Sequence, residues 1–337
     1  MKASVIGGGT WGSAFARHLG RLDIQTNLWI RERDVYEETA RCKENKTFLP
    51  GFTFPSTVTF FHNIKDAVSS TEIVFIAVPS QFCRNIYEQL APHLSSRHII
   101  VSLTKGIEEG TLKRMSEVME EVFSPFFIPK IAVLSGPSFA REVAEENPTA
   151  VVLASEKQNL AKKAQHLISC PTFRAYTSYD VIGVELAGAV KNVIAIAAGI
   201  SDAFQYSSNT VAALVTRGMA EMTRLGLKLG ARMETFAGLA GIGDLILTCT
   251  GKLSRNRFVG CELGKGKALD DIISTMKMVA EGVTTTLSVH QLENSEKVEM
   301  PICEQIYQVL YKGKDPRAAL QYLMSRKLKS EYRIEKE

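Results

Sequence analysis

Ala3-Ser4-Val5-Ile6-Gly7-Gly8-Gly9-Thr10-Trp11-Gly12 is an apolar run that breaks into a glycine turn, and an amphipathic pattern (Ala14, Phe15, Leu19) follows at once. The order predicts a strand that leaves through G-x-G-x-x-G into a helix, the arrangement that binds dinucleotides. Gly7 permits the tight turn, Gly9 lets the backbone approach a pyrophosphate, and Gly12 lets helix and strand pack closely. The free N–H groups and the dipole at the helix start then favour phosphate there.

Working outward, strand and helix alternate up to about residue 178. Apolar, β-branched runs recur at 26–30, 72–78, 98–103, 131–134 and 149–153, with helical stretches such as 83–94 and 112–122 between them. This alternation predicts an α/β fold, a mostly parallel Rossmann-type sheet with helices on both faces. Ligands of such sheets sit beyond the carboxyl ends of the strands, which singles out Val78-Pro79-Ser80, Thr104-Lys105-Gly106 and Ser135-Gly136-Pro137-Ser138. After Ser178 helical periodicity dominates, so an all-helical second domain is expected. The division is 1–178 for the dinucleotide domain, 179–330 for the helical domain and 331–337 for a charged tail.

The length of 337 residues suits two domains at about 100–200 residues each. A net charge of +4, with no basic stripe, argues against a nucleic-acid partner. The six cysteines are scattered and the histidines do not cluster beside them, so neither a metal site nor a disulfide framework is expected. Reduced thiols and an N-terminus that reads as a strand fit a cytoplasmic protein. Residues 181–200 are long enough to span a bilayer, but Glu185 and Lys191 lie inside them. A charge at the centre of a spanning helix costs about 2.5–3.5 kcal/mol. A buried helix, and no membrane span, is the expectation.

Arg31 stands at the end of the second strand, where NAD-specific sites usually carry an acid for the ribose 2′-hydroxyl. Its guanidinium suits a 2′-phosphate and favours NADP, although adjacent Glu32 leaves a plain surface arginine as the other reading. Lys191 shares a helical stripe with Gly188, Ala195 and Gly199, a face with room for a ligand. Burial depresses a lysine pKa, so Lys191 suits proton transfer to a carbonyl under reduction, or else is structural and paired with a carboxylate. Asn192 adds a neutral hydrogen bond. Asp244 falls where a glycine-rich loop meets an apolar helix, a capping position. Arg255 and Asn256 read as a donor-rich loop suited to phosphate, and Glu281 as an isolated acid in a glycine-containing turn.

Taken together, these blocks closely resemble bacterial NAD(P)-dependent glycerol-3-phosphate dehydrogenase. The resemblance runs nearly end to end and includes Asn45 with Phe48-Leu49-Pro50-Gly51, Leu103-Thr104-Lys105-Gly106, Ser135 to Ala140, Glu185 to Asn192, Gly241 to Cys249 and Ala280-Glu281-Gly282. It implies a Rossmann domain followed by a helical domain like the C-terminal domain of 6-phosphogluconate dehydrogenase. It also implies reversible reduction of dihydroxyacetone phosphate by NADPH or NADH to sn-glycerol 3-phosphate, for phospholipid synthesis, by a homodimer. By the same resemblance Lys191 is the acid/base residue, and Lys105, Gly136, Ser138, Asn192, Asp244, Thr248, Ser254, Arg255 and Asn256 surround the substrate. Gly7, Gly9, Thr10, Trp11, Gly12, Arg31, Lys105, Ala140, Arg255, Val279 and Glu281 contact the cofactor. Departures are small: Thr10 replaces a common serine or alanine, and Thr286 a common alanine. A related β-hydroxyacid dehydrogenase for another anionic substrate, and a non-catalytic NAD(P) sensor, are the competing readings.

Overall fold

The structure, a computed structural model, describes residues 1–276 and 278–331. The expected charged tail at 331–337 lies outside the described residues apart from Glu331. Among the described residues one sheet is built from β1 (Ala3–Ile6), β2 (Thr26–Trp29), β3 (Val58–Phe61), β4 (Ile73–Ile76), β5 (Ile99–Ser102), β6 (Lys130–Ser135), β7 (Thr149–Ala154) and β8 (Phe173–Ser178). Its order is β3-β2-β1-β4-β5-β6-β7-β8, parallel throughout except at the β6–β7 pair. The chain winds outward in both directions from the β1–β4 pair. The Gly7–Gly12 turn therefore opens at the switch point, where doubly wound sheets bind their ligands.

The inner strands β1, β2, β4 and β5 are buried along their whole length, which is why they read as unbroken apolar runs. β3 and β8 are absent from the expected runs, and they are the two edges. Val58 and Phe60 face the core while Thr59 is exposed, and Phe173 and Ala175 alternate with exposed Arg174 and Tyr176. One wet face dilutes the apolar signal. The sheet's helices are α1 (Thr10–Arg21), α2 (Arg33–Cys42), α3 (Ile64–Val68), α4 (Ser80–Leu90), α5 (Met115–Phe123), α6 (Ala140–Ala144) and α7 (Gln158–Ile168).

No strand follows β8 among the described residues. The helical half comprises α8 (Val181–Ala203), α9 (Ser208–Lys228), α10 (Met233–Phe236), α11 (Asp244–Thr250), α12 (Arg255–Gly264), α13 (Leu269–Thr275), α14 (Glu281–Glu296), α15 (Pro301–Lys312) and α16 (Pro316–Ser325). α8 is apolar on all sides because α9, α11, α12, α14 and α15 surround it. It is long and apolar enough to cross a membrane, yet 89% of its most apolar window is buried within the protein. The α8–α12 crossing is close enough to exclude side chains. A Cβ on Gly260 would stand 2.0 Å from the Ile196 carbonyl oxygen, and one on Gly199 2.0 Å from that of Arg257. Gly199 thus serves packing with α12 and not ligand access, and Gly188 likewise serves packing, against Ser135.

Gly260→Ala must push these helices apart, and overpacking of this kind costs about 1–3 kcal/mol. Chemical denaturation should show a lowered midpoint with an unchanged slope. A variant as stable as the parent would contradict the close crossing.

Candidate active site

Three cationic or anionic side chains from separate elements meet where the sheet half abuts α8. Lys191, inside α8, donates from Nζ to Asp244 Oδ1 at 2.9 Å and to Thr248 Oγ1 at 2.6 Å. Lys105, in the loop after β5, donates to Asp244 Oδ2 at 2.6 Å and to the Gly136 carbonyl at 2.9 Å. Thr248 passes its own proton back to the Asp244 carbonyl, which fixes the hydroxyl as an acceptor for Lys191. Asp244 is the first residue of α11, after a π-helical turn at Leu239–Gly243, and Gly243 occupies the cap position. The expected capping role therefore gives way to a salt-bridge role: both carboxylate oxygens are taken by lysines.

The electrostatics follow from burial. Lys191 and Asp244 are almost wholly shielded from solvent. Desolvation lowers the Lys191 pKa to about 8, Asp244 opposes the fall, and the Lys105 charge adds to it. Burial acts to raise the Asp244 pKa, but Lys105 and Lys191 overcome it and hold the carboxylate below its usual range. Gly188 lets Ser135 at the end of β6 pack closely against α8 at this corner. A Cβ there would stand 2.6 Å from Ser135 Oγ.

Beside the lysines runs a chain of amides. Asn256 Nδ2 donates to Asn192 Oδ1 at 2.9 Å, and Gly282 N–H donates to Asn256 Oδ1 at 2.9 Å, tying α12 to α8 and α14. Ser254 caps α12 through Arg257 N–H. Arg255 and Asn256 thus form the first turn of a helix instead of a loop, and Arg255 is exposed there. Ser138 Oγ donates to the Gly136 carbonyl at 3.0 Å.

The glycine turn opens at the carboxyl end of β1. A Cβ on Gly12 would fall 1.9 Å from the Gly7 carbonyl oxygen, whereas one on Gly9 would meet nothing within 4 Å. Close packing of the fold accounts for Gly12, while Gly9 leaves an open cradle at the start of α1. No side chain caps that helix and no acid lies in its first turn. Thr10 reaches Met278, and Val279 is exposed beside it. Trp11 and Ala140 pack together around Ala14, Leu49 and Ala144, so both also serve as lining for the core. Arg31 is exposed, paired with Glu32 at 2.7 Å and lying 5.6 Å over the Phe82 ring. Glu281 is not isolated: Ser80 donates to it through N–H at 2.9 Å and Oγ at 2.5 Å.

Family models for NAD-dependent glycerol-3-phosphate dehydrogenase match the chain at residues 2–161 (N-terminus) and 180–321 (C-terminus). The chain belongs to the glycerol-3-phosphate dehydrogenase family. It is 50% identical over 331 residues to the glycerol-3-phosphate dehydrogenase [NAD(P)+] of Syntrophotalea carbinolica, covering 98% of this chain and 99% of the relative. The glycerol-3-phosphate dehydrogenase [NAD(P)+] of Koribacter versatilis is 51% identical over 327 residues, covering 96% and 97%. A crystal structure of glycerol-3-phosphate dehydrogenase from Coxiella burnetii superposes with a TM-score of 0.93 at 37% identity, covering 96% of this chain and 99% of that one.

Two contacts in this family member escaped the sequence reading. Ser80 lies in a segment singled out by position alone, with no partner assigned. Glu185, inside the apolar stretch, accepts from Arg114 Nη1 at 2.8 Å and from Ser116 N–H and Oγ at 2.8 and 2.5 Å. Spacing along one chain carries no signal for pairs that lie 201 and 71 residues apart.

Asp244→Asn replaces the anion between two lysines with a neutral amide. Removing one partner of a buried pair costs about 3–5 kcal/mol. Chemical denaturation of the variant should show a loss of that order, and stability equal to the parent would contradict the bridge.

Proposed function

We propose that this site reduces dihydroxyacetone phosphate reversibly to sn-glycerol 3-phosphate, with Lys191 giving and taking the proton. The observation that carries the reading is the buried Lys191 ammonium, held 2.9 Å from Asp244 and shifted to a pKa of about 8. A proton donor works best when its pKa lies near the working pH. The curated relatives named above carry NAD(P)+ in their names, and the open cradle over Gly9 with the uncapped start of α1 fits a dinucleotide pyrophosphate. A bound NAD(P)H supplies the hydride for the C2 carbonyl carbon.

The residues divide the remaining work. Gly7, Gly9, Thr10, Trp11 and Gly12 offer backbone to the phosphates, and the Arg31 guanidinium would favour a 2′-phosphate on leaving Glu32. Lys105, Ala140, Arg255, Val279 and Glu281 border the rest of the cofactor. Lys191 donates to the C2 oxygen while Asp244 and Thr248 fix its direction, and Lys105 lends positive charge to the developing alkoxide. Gly136, Ser138, Asn192 and Ser254 shape the substrate pocket. Arg255 and the spare Asn256 amide hydrogen take the phosphate. On the family resemblance we extend this reading to two domains at 1–178 and 179–330, a homodimer, a cytoplasmic location and a supply of precursor for glycerophospholipid synthesis. A sensor would have no use for a buried lysine held on its depressed pKa opposite an acid, which favours the enzyme.

Lys191→Ala should lower kcat by about 10²–10⁴, the usual contribution of a general acid, with NADPH affinity retained. Lys191→Arg should not restore it, because a guanidinium keeps its proton near neutral pH. A folded Lys191→Ala enzyme with more than about a tenth of parental kcat contradicts the assignment. Arg255→Ala should weaken reduction of dihydroxyacetone phosphate far more than that of dihydroxyacetone, measured as kcat/KM for each. Equal losses on the two substrates would place the phosphate elsewhere.

A further inference from the structure

The hairpin of α14 and α15 carries a separate cluster of titratable side chains. His290 and Glu293 stand three residues apart on α14 and so share a face, and Glu304 enters from the first turn of α15. One ligand atom from each of the three lies within 4.8 Å of the other two. His290 Nδ1 is 2.7 Å from Glu304 Oε2. Glu293 accepts from Met300 N–H through Oε1 at 3.0 Å, but its Oε2 is buried and has no hydrogen-bond partner among the described residues. A buried, unpartnered carboxylate oxygen carries a desolvation cost. The neighbouring charges of Glu304 and Glu299 add to it, and Arg224 offsets part.

The three side chains are also braced from outside. The His290 ring stacks on Tyr307 with centroids 3.6 Å apart and planes 6° from parallel. Asn294 Nδ2 lies 3.3 Å from His290 Nε2, and Gln308 donates to Glu304 Oε1 at 2.7 Å. Partners of this kind orient metal ligands. His290 and Glu304 retain 22% and 29% side-chain exposure, so an ion from solvent can reach them.

We propose that His290, Glu293 and Glu304 bind a divalent transition-metal ion of the zinc class, with water completing the coordination. One imidazole with two carboxylates matches that class, whereas magnesium and calcium take oxygen ligands alone. Zinc lies about 2.0–2.2 Å from N and O ligands, which sets tetrahedral ligand atoms about 3.4 Å apart, so the His290–Glu304 pair opens and the wider separations, none above 4.8 Å, close around the ion. With Asn294 donating to Nε2, the Nδ1 proton of His290 now points at Glu304. Binding moves the ring proton from Nδ1 to Nε2, the Asn294 amide turns to accept it through Oδ1, and the ion takes the freed Nδ1 lone pair while Glu293 Oε2 gains a partner. The site pins α14, whose first residue is Glu281, to α15. The expectation of no metal site rested on cysteines and histidines close in sequence, a search that passes over one histidine and two glutamates on successive helices.

The test is titration of the chelator-treated chain with zinc sulfate and cobalt chloride, beside His290→Ala and Glu293→Gln. Glu293→Gln keeps the volume and the acceptor for Met300, so its fold is retained. One zinc per chain should bind and raise the thermal midpoint, as binding to the native state alone requires. Each variant should bind at least about a hundredfold more weakly, the upper range for loss of an outer-shell partner. The cobalt complex should show ligand-field bands of an N/O site without thiolate charge transfer, and magnesium should leave the midpoint unchanged. Absence of zinc binding, equal zinc uptake by parent and Glu293→Gln, thiolate bands from Cys42, Cys170 or Cys261, or an equal shift with magnesium would each overturn the proposal.

Discussion

The carboxylate of Asp244, held between two lysines, is the interaction on which the rest depends. Its three charges come from the loop after β5, from the buried helix α8 and from the start of α11. None of them is tolerable alone at that depth, because an unpaired buried charge is strongly destabilising. Together they leave one net positive charge in a poorly hydrated corner. Such a corner draws an anionic substrate and stabilises negative charge that develops on an oxygen. The bridge therefore joins the two halves of the molecule, and in the proposed reaction the same atoms prepare the chemistry.

Two further contacts repeat the design across the same seam. Glu185 on α8 accepts the Ser116 N–H in the first turn of α5, and Glu281 at the start of α14 accepts the Ser80 N–H at the start of α4. In each case a carboxylate of the helical half satisfies free donors at a helix N-terminus of the sheet half, where the dipole favours negative charge. Burial raises the pKa of both carboxyls, so their hydrogen-bond donors are needed to hold them in place. The seam thus adds ionic and capping contacts to a small apolar cluster in which Val133 and Ala154 of the sheet meet Val181, Val184 and Ala240, while the largest hydrophobic clusters lie mainly on one side or the other.

Much of this was legible in the sequence, for reasons that differ by element. The inner strands announce themselves because both faces are buried, and the glycine turn because its spacing is tied to a mechanism. The edge strands β3 and β8 were hidden by their alternating exposure. Lys191 was visible as a charge inside an apolar stretch, whose burial is now accounted for by Asp244 and Thr248. The partners of Asp244 were hidden, since a capping aspartate and a bridging one look alike at a helix start. Arg255 and Asn256 read as a loop because the glycine and polar residues before them mask the helix that Ser254 caps. Ser80 and Glu185 acquire meaning only when the fold brings distant segments together.

If Lys191 changes its proton during turnover, the pH dependence of kcat/KM in both directions reports it most directly, since that ratio follows the free enzyme. Reduction needs the ammonium and oxidation needs the free amine. Reduction should fall as pH rises through about 8, and oxidation should rise through the same value. Profiles that are flat through this range, or that break in the same direction, would contradict it.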